Sequence, residues 1–168
     1  MSAELSLHLR EEIDRWLAKF PEDRKRSAVI SALHAAQHEN NGFLTPAIMD
    51  AVAAYLGLAA IQVYEVAAFY SMFETKPVGR HHVSVCTNIS CMLRGADEIF
   101  EHCCKKLGIK NKQTTPDGLF SLEEVECLGA CCGAPAMQLN YDFYENLTPE
   151  KFDAVIEELR KKEPRTKM

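Results

Sequence analysis

The chain has 168 residues, of which 47% are hydrophobic and 26% charged, with a net charge of −5. That length suits one domain, or one domain plus a sizeable extension, and buries enough surface to fold without cross-links. Eight glycines and seven prolines exclude collagen-like and low-complexity chains, and the acidic balance argues against a protein that coats nucleic acid. The longest uncharged apolar run, residues 51–61, is too short for a bilayer, which needs about 20 residues, so no direct membrane insertion is expected. Seven cysteines are an odd number, and the start Met1-Ser2-Ala3-Glu4-Leu5 has neither a basic nor an apolar leader region. A reducing, soluble compartment is expected, where clustered cysteines point to metal or redox chemistry.

The first 75 residues read as helices. Leu5, Leu9, Ile13, Trp16, Leu17 and Phe20 recur at three- and four-residue steps until Pro21 breaks the run. A second helix starts near Asp23, turns Val29, Ile30, Leu33 and Ala36 inward, and stops at Asn40-Asn41-Gly42. Thr45-Pro46 starts a third, with Ile48, Val52, Tyr55 and Leu56 on one face and Gly57 at its close. A fourth runs over 59–73. The aromatic run Phe69, Tyr70 and Phe73 within it is read as core. Residues 76–80 (Lys-Pro-Val-Gly-Arg) form a linker, and every cysteine follows it.

After the linker the pattern changes. Residues 82–86 alternate as a strand, 92–107 have helical period, 111–118 are a polar loop, and 119–126 alternate again. A third strand over 136–140, a return strand over 141–146, and a helix from Leu147-Thr148-Pro149 to Leu159 complete the chain. Its inner face is Phe152, Val155, Ile156 and Leu159. The order β-α-β-β-α predicts a small α/β sandwich with cysteines in loops at its strand ends.

Four of the cysteines form two short-spaced pairs. Cys86 and Cys91 have four residues between them, Cys127 and Cys131 have three, and each pair follows a predicted strand. Two such pairs are what a four-thiolate site requires, and its candidate occupants are a [2Fe–2S] cluster, then zinc. The chain has no C-x-x-C for disulfide exchange, and no histidine lies near Cys127 to support Rieske ligation. With no G-x-G-x-x-G and no P-loop, the chain should bind neither NAD nor FMN by those means.

These residues carry a family resemblance. Cys86-Thr-Asn-Ile-Ser-Cys91 followed by Cys127-Leu-Gly-Ala-Cys131 resembles the thioredoxin-like [2Fe–2S] subunit of the NADH dehydrogenase module of respiratory complex I. Residues 63–73, 113–118 and 145–148 match as well, so the resemblance spans about 26–159. It implies an α+β protein: an N-terminal helical bundle over 1–75, followed by a thioredoxin-like [2Fe–2S] ferredoxin domain over 80–162; the bundle supplies no ligand and is expected to dock a partner. It also implies that Cys86, Cys91, Cys127 and Cys131 hold one [2Fe–2S] cluster, with no catalytic residue on this chain. Cys132 departs from the family's pattern, beside the fourth ligand.

By the same resemblance, FMN and NADH sit on a partner flavoprotein, with other peripheral-arm subunits of complex I as further partners. The parent complex is a proton-translocating NADH:quinone oxidoreductase. The implied location is cytoplasmic, peripheral to the inner membrane, or on the matrix side in a mitochondrion. The same module occurs in NAD-linked hydrogenases and formate dehydrogenases, which is one alternative. Another, of a different class, is a structural zinc site in an assembly subunit.

Other residues receive plainer readings. Cys103 shares a helix face with Ile99, Phe100 and Leu107 and is a small core hydrophobe, and Cys104 is a bystander. His81 and His82 are a solvated strand end beside Arg80. Gly129 and Gly133 let the second cysteine loop turn tightly. Glu123, Glu124 and Glu126 are either an acidic patch near the cluster or a solvated strand face.

Overall fold

Ser6 starts the first helix of the chain in a computed structural model that describes residues 4–162. Met1 to Ala3, where part of the leader reading falls, lie outside the described residues. The chain divides into two compact units between Pro77 and Val78.

The first unit is helical. In α1 (Leu7–Leu17) the Ser6 hydroxyl accepts from the Leu9 N–H at 3.0 Å, and Leu9 and Ile13 are buried. After Pro21 comes a 3₁₀ segment (Glu22–Ala28), interrupted by non-helical angles at Arg24, so α2 (Val29–Glu39) begins six residues later than the periodicity predicts. Its inward stripe is Val29, Ala32, Leu33 and Ala36, whereas Ile30 is 36% exposed. Each residue turns the helix by about 100°, which carries Ile30 off the stripe its neighbours define.

Helix α3 (Pro46–Leu56) has the expected start, with the Thr45 hydroxyl accepting from the Ile48 N–H at 3.2 Å. Met49, Val52, Ala53 and Leu56 are buried. Tyr55 turns outward and donates its hydroxyl to Asp14 at 2.9 Å, so it is not part of the core face.

Helix α4 (Ala60–Phe69) ends four residues before the predicted limit. The buried Gln37 accounts for this: its amide donates to the Met72 carbonyl at 2.9 Å and accepts from the Glu74 N–H at 2.7 Å. Those bonds hold the chain in a course a continued helix could not follow. Phe73 is therefore buried, while Phe69, read as core in the sequence, is 80% exposed.

The second unit is built on a five-stranded sheet. Its elements in order are β1 (His81–Cys86), α5 (Ile89–Met92), α6 (Ala96–Leu107), β2 (Gln113–Thr114), β3 (Phe120–Val125), β4 (Met137–Leu139), β5 (Asp142–Tyr144) and α7 (Pro149–Lys162). The sheet order is β2-β3-β1-β4-β5, with β1 and β3 parallel and the remaining neighbours antiparallel. The helix predicted over 92–107 is α6, which starts four residues later, after Gly95 (φ +84°); Met92 instead closes the separate turn α5, and the polar loop contains the short strand β2. Side chains alternate across a strand. Val83, Val85, Phe120 and Leu122 share a core with Ile99 and Cys103 of α6 and Phe152 and Ile156 of α7.

Helices α6 and α7 are also joined by charge. His102 Nε2 lies 2.8 Å from Asp153 Oδ1, and Lys106 Nζ lies 3.6 Å from Asp153 and 3.0 Å from Glu157. The His102 hydrogen bond, helped by the charges of His102 and Lys106, holds the Asp153 carboxyl below the usual aspartate range against the opposing effect of burial.

Leu33→Ala is expected to cost about 2–5 kcal/mol by opening a core cavity, whereas Ile30→Ala should cost about 0.5 kcal/mol or less. Urea midpoints of the two variants check this, and equal losses would place Ile30 in the core. The lowered Asp153 value means that its ionised form is stabilised in the folded chain. Its contribution is therefore present above the ordinary aspartate value of about 3.9 and is lost as pH falls through the lower folded value. The melting-temperature gap between wild type and Asp153→Asn should be widest near neutrality and close in acid. A constant gap from pH 7 to pH 3 contradicts the assignment.

Candidate metal centre

The two cysteine loops are brought together by strand register. Parallel pairing of β1 with β3 sets Cys86, the last residue of β1, opposite Val125, the last of β3. Both strands therefore end at the same edge, and Cys127 follows two residues beyond. Antiparallel β4 enters at that edge too, with Met137 opposite Val85. The Cys86 N–H donates to the Ala136 carbonyl at 3.1 Å, and the Thr87 N–H to the Val125 carbonyl at 3.1 Å, which extends the ladder into the loops. Residues 87–91, 126–130 and 131–136 are thus all placed at one end of the sheet.

Each sulfur has its own setting. Cys86 is buried, and its thiol points toward the Glu126 carbonyl at 3.6 Å. Cys91 is buried in the single turn of α5, which starts at Asn88, whose side chain accepts from the Ile89 N–H at 2.8 Å. Burial, followed by a hydrogen bond shared with Cys86, pushes the Cys91 thiol up to about 11; nearby Cys86 and Cys131 add to this, while a backbone hydrogen bond from Ala136 works the other way. Cys86 and Cys131 are therefore both close enough to influence Cys91. Cys127 is exposed, with its sulfur accepting from the Gly129 N–H at 3.4 Å. Cys131 and Cys132, at the start of a 3₁₀ turn (Cys131–Gly133), are both exposed.

The inner wall is apolar. Cys86 and Cys91 pack with Ala96, Ala134 and Ala136, and Leu128 and Ala130 lie against them. Around α5 the surface is also apolar, since Ile89, Met92 and Leu93 are exposed. Gly129 takes φ +75°, a turn that disfavours any residue with a Cβ. Gly133 serves a different purpose from the free turning expected of it: a Cβ there would collide with the Glu145 side chain. The Asn146 N–H donates to the Gly133 carbonyl at 2.6 Å and the Leu147 N–H to the Pro135 carbonyl at 2.9 Å, so residues 145–147 clasp the second cysteine loop. The Asn88 cap is visible in sequence as an Asn before a helical turn; the clasp has no local signal.

Other candidate residues separate from this edge. Cys103 lies in the α6 core, where burial pushes its thiol up to about 12, and Cys104 is half-buried. His82 is not a solvated strand end: it is half-buried, with Nε2 3.4 Å from Glu123 Oε2, and the His81 ring lies against Phe120 at 5.5 Å. Glu123 leaves the acidic patch, being buried and also 3.4 Å from Lys112, and His82 chiefly holds its carboxyl low. Only Glu124 and Glu126 reach the first cysteine loop. Glu124 accepts from the Thr87 hydroxyl at 2.8 Å and Glu126 from the Asn88 amide at 3.3 Å.

The model of the thioredoxin-like [2Fe–2S] ferredoxin family matches residues 13–160. The E-type subunit of the NADH-quinone oxidoreductase of Rickettsia bellii is 48% identical over 155 residues, which is 92% of this chain and 91% of the relative. The mitochondrial NADH dehydrogenase [ubiquinone] flavoprotein 2 of Dictyostelium discoideum is 44% identical over 91% of this chain and 62% of its own length. Among solved structures, a chain of an NAD+-reducing [NiFe]-hydrogenase in the air-oxidised state superimposes with a TM-score of 0.67 at 23% identity, over 79% of this chain and 23% of that one. At that identity the superposition speaks to the fold alone. With the family pattern running through both units and relatives near half identity along nine-tenths of its length, this chain belongs to the thioredoxin-like [2Fe–2S] ferredoxin family.

Proposed function

We propose that this chain is the electron-transfer subunit of an NADH–quinone oxidoreductase, and that Cys86, Cys91, Cys127 and Cys131 hold its one [2Fe–2S] cluster. The observation that carries this reading is the register of β1 with β3, which delivers both cysteine pairs to one edge of the sheet. The donor set suits the group: four sulfurs in two pairs from two loops, an apolar inner wall, and hydrogen bonds to sulfur from the Gly129 N–H and the Ala136 backbone. When bound, the cluster supplies reversible one-electron transfer.

The chain's own residues divide that task. Burial of Cys86 and Cys91 keeps water from the inner side of the site, and N–H groups directed at sulfur offset negative charge there. A raised Cys91 value means that its proton must leave as metal binds, so loading should release protons. Cys127 and Cys131 lie on the exposed side, where an electron partner can approach. The relatives' names support a quinone-linked parent complex over a hydrogenase, and the family match supports iron–sulfur over zinc.

NADH and FMN are assigned to a partner flavoprotein, because this chain has no phosphate-cradling glycine motif. Other peripheral-arm subunits complete the assembly. The division of labour over 1–75 and 80–162 gives the helical unit to partner docking and the sheet unit to the cluster. Among the described residues no helix is long and apolar enough to cross a membrane. The corresponding location is the cytoplasmic or matrix face, held at the membrane through the complex.

The purified, flavin-free chain should not oxidise NADH with an artificial acceptor, and adding the flavoprotein partner should let NADH reduce the cluster; steady turnover by the isolated chain contradicts the assignment. Cys131→Ser should abolish or grossly alter the electron paramagnetic resonance signal of the reduced protein, because serine oxygen is a poorer donor to iron than thiolate, and Cys132→Ser should leave it nearly intact. The opposite result moves the fourth ligand by one residue.

A further inference from the structure

The two cysteine loops are joined by a side chain that belongs to neither pair. Arg94 lies three residues after Cys91, and its backbone N–H donates to the Cys91 carbonyl at 3.0 Å. Its guanidinium reaches across and donates through Nη1 to the carbonyl of Ala134 at 3.2 Å. Ala134 in turn lies three residues after Cys131, and its N–H donates to the Cys131 carbonyl at 3.3 Å. The path is continuous: Cys91 carbonyl, Arg94 N–H, Arg94 guanidinium, Ala134 carbonyl, Ala134 N–H, Cys131 carbonyl.

On the other side of the second loop, the bonds come from Asn146 and Leu147 to Gly133 and Pro135. They fix that loop to the segment before α7, and on the Cys91 side the Ala136 backbone meets the Cys91 sulfur. Arg94 adds the side-chain tie between the Cys91 turn and Ala134. A guanidinium is permanently charged, and its Nη1 reaches the Ala134 carbonyl from a residue whose own backbone is bonded to Cys91. Arg94 is exposed, and its positive charge lies against Ala134, which packs with Cys86 and Cys91.

We infer that Arg94 is a positioning residue for the cluster: its guanidinium ties the Cys91 turn to the Cys131 loop, and its charge favours the reduced state. This rests on the proposed ligand set. It requires that losing the Nη1 bond to Ala134 loosens the cluster and that losing the charge lowers its reduction potential, because a cation near an anionic centre favours an added electron.

The test compares wild type, Arg94→Gln and Arg94→Lys as full-length cluster-loaded proteins. Arg94→Gln should release iron to a chelator roughly tenfold faster, the loss expected for a charged hydrogen bond to backbone, and its potential should fall. Arg94→Lys keeps the charge on a shorter side chain that does not reproduce the Nη1 bond to Ala134, so its potential should stay near wild type while its iron release remains fast. If Arg94→Gln fails to fold, the Lys variant alone decides through iron release. Wild-type iron release in both variants overturns the inference, and so does faster release with an unchanged potential in Arg94→Gln, which marks general loosening. A wild-type chain that takes up no cluster defeats the ligand assignment instead.

Discussion

The parallel pairing of β1 with β3 is the constraint on which the rest of the second unit depends. In a parallel pair both strands run toward the same edge, so the residues following each are delivered to one place. Cys86 and Val125 are partners across that ladder, and the first cysteine of each loop emerges within two residues of them. Helix α6 lies in the connection between the strands and contributes Ile99, Cys103 and Leu107 to the core beneath them. Reversing either strand would send one cysteine pair to the far end of the sheet.

From that constraint follows an uneven site. Cys86 and Cys91 sit against small apolar residues, while Cys127, Cys131 and Cys132 are exposed. Such a centre is insulated on its inner side and open on the other, which is the arrangement one-electron exchange with a docked protein needs. Loop geometry serves the same end. Asn88 caps the turn that carries Cys91 and also donates to Glu126, and the 145–147 segment clasps the loop that carries Cys131. The thiols are thus held by backbone bonds from neighbouring segments and not by their own loops alone.

Much of this could be read from local signals. Thr45-Pro46 announces the start of α3 through its own backbone, whereas α1 stops at Leu17, short of the Pro21 that the periodicity takes as its end. The cysteine spacing and the α+β character, with a thioredoxin-like ferredoxin unit, were likewise legible. What local patterns could not supply were tertiary facts. Gln37 ends α4 early from 35 residues away, which exposes Phe69 and buries Phe73. His82 meets Glu123 only because β1 and β3 pair, and Gly133 must be glycine because Glu145 packs over it, not because its backbone turns sharply. The Arg94 bridge to Ala134 spans 40 residues and has no signature in either segment.

The central claim is that one edge of this sheet gathers four thiolates around a two-iron centre. Iron, acid-labile sulfide and zinc, measured together on the purified chain after anaerobic reconstitution, test it most directly. The account predicts two irons and two sulfides per chain with a reddish-brown colour. One zinc per chain, no sulfide and a colourless solution would contradict it.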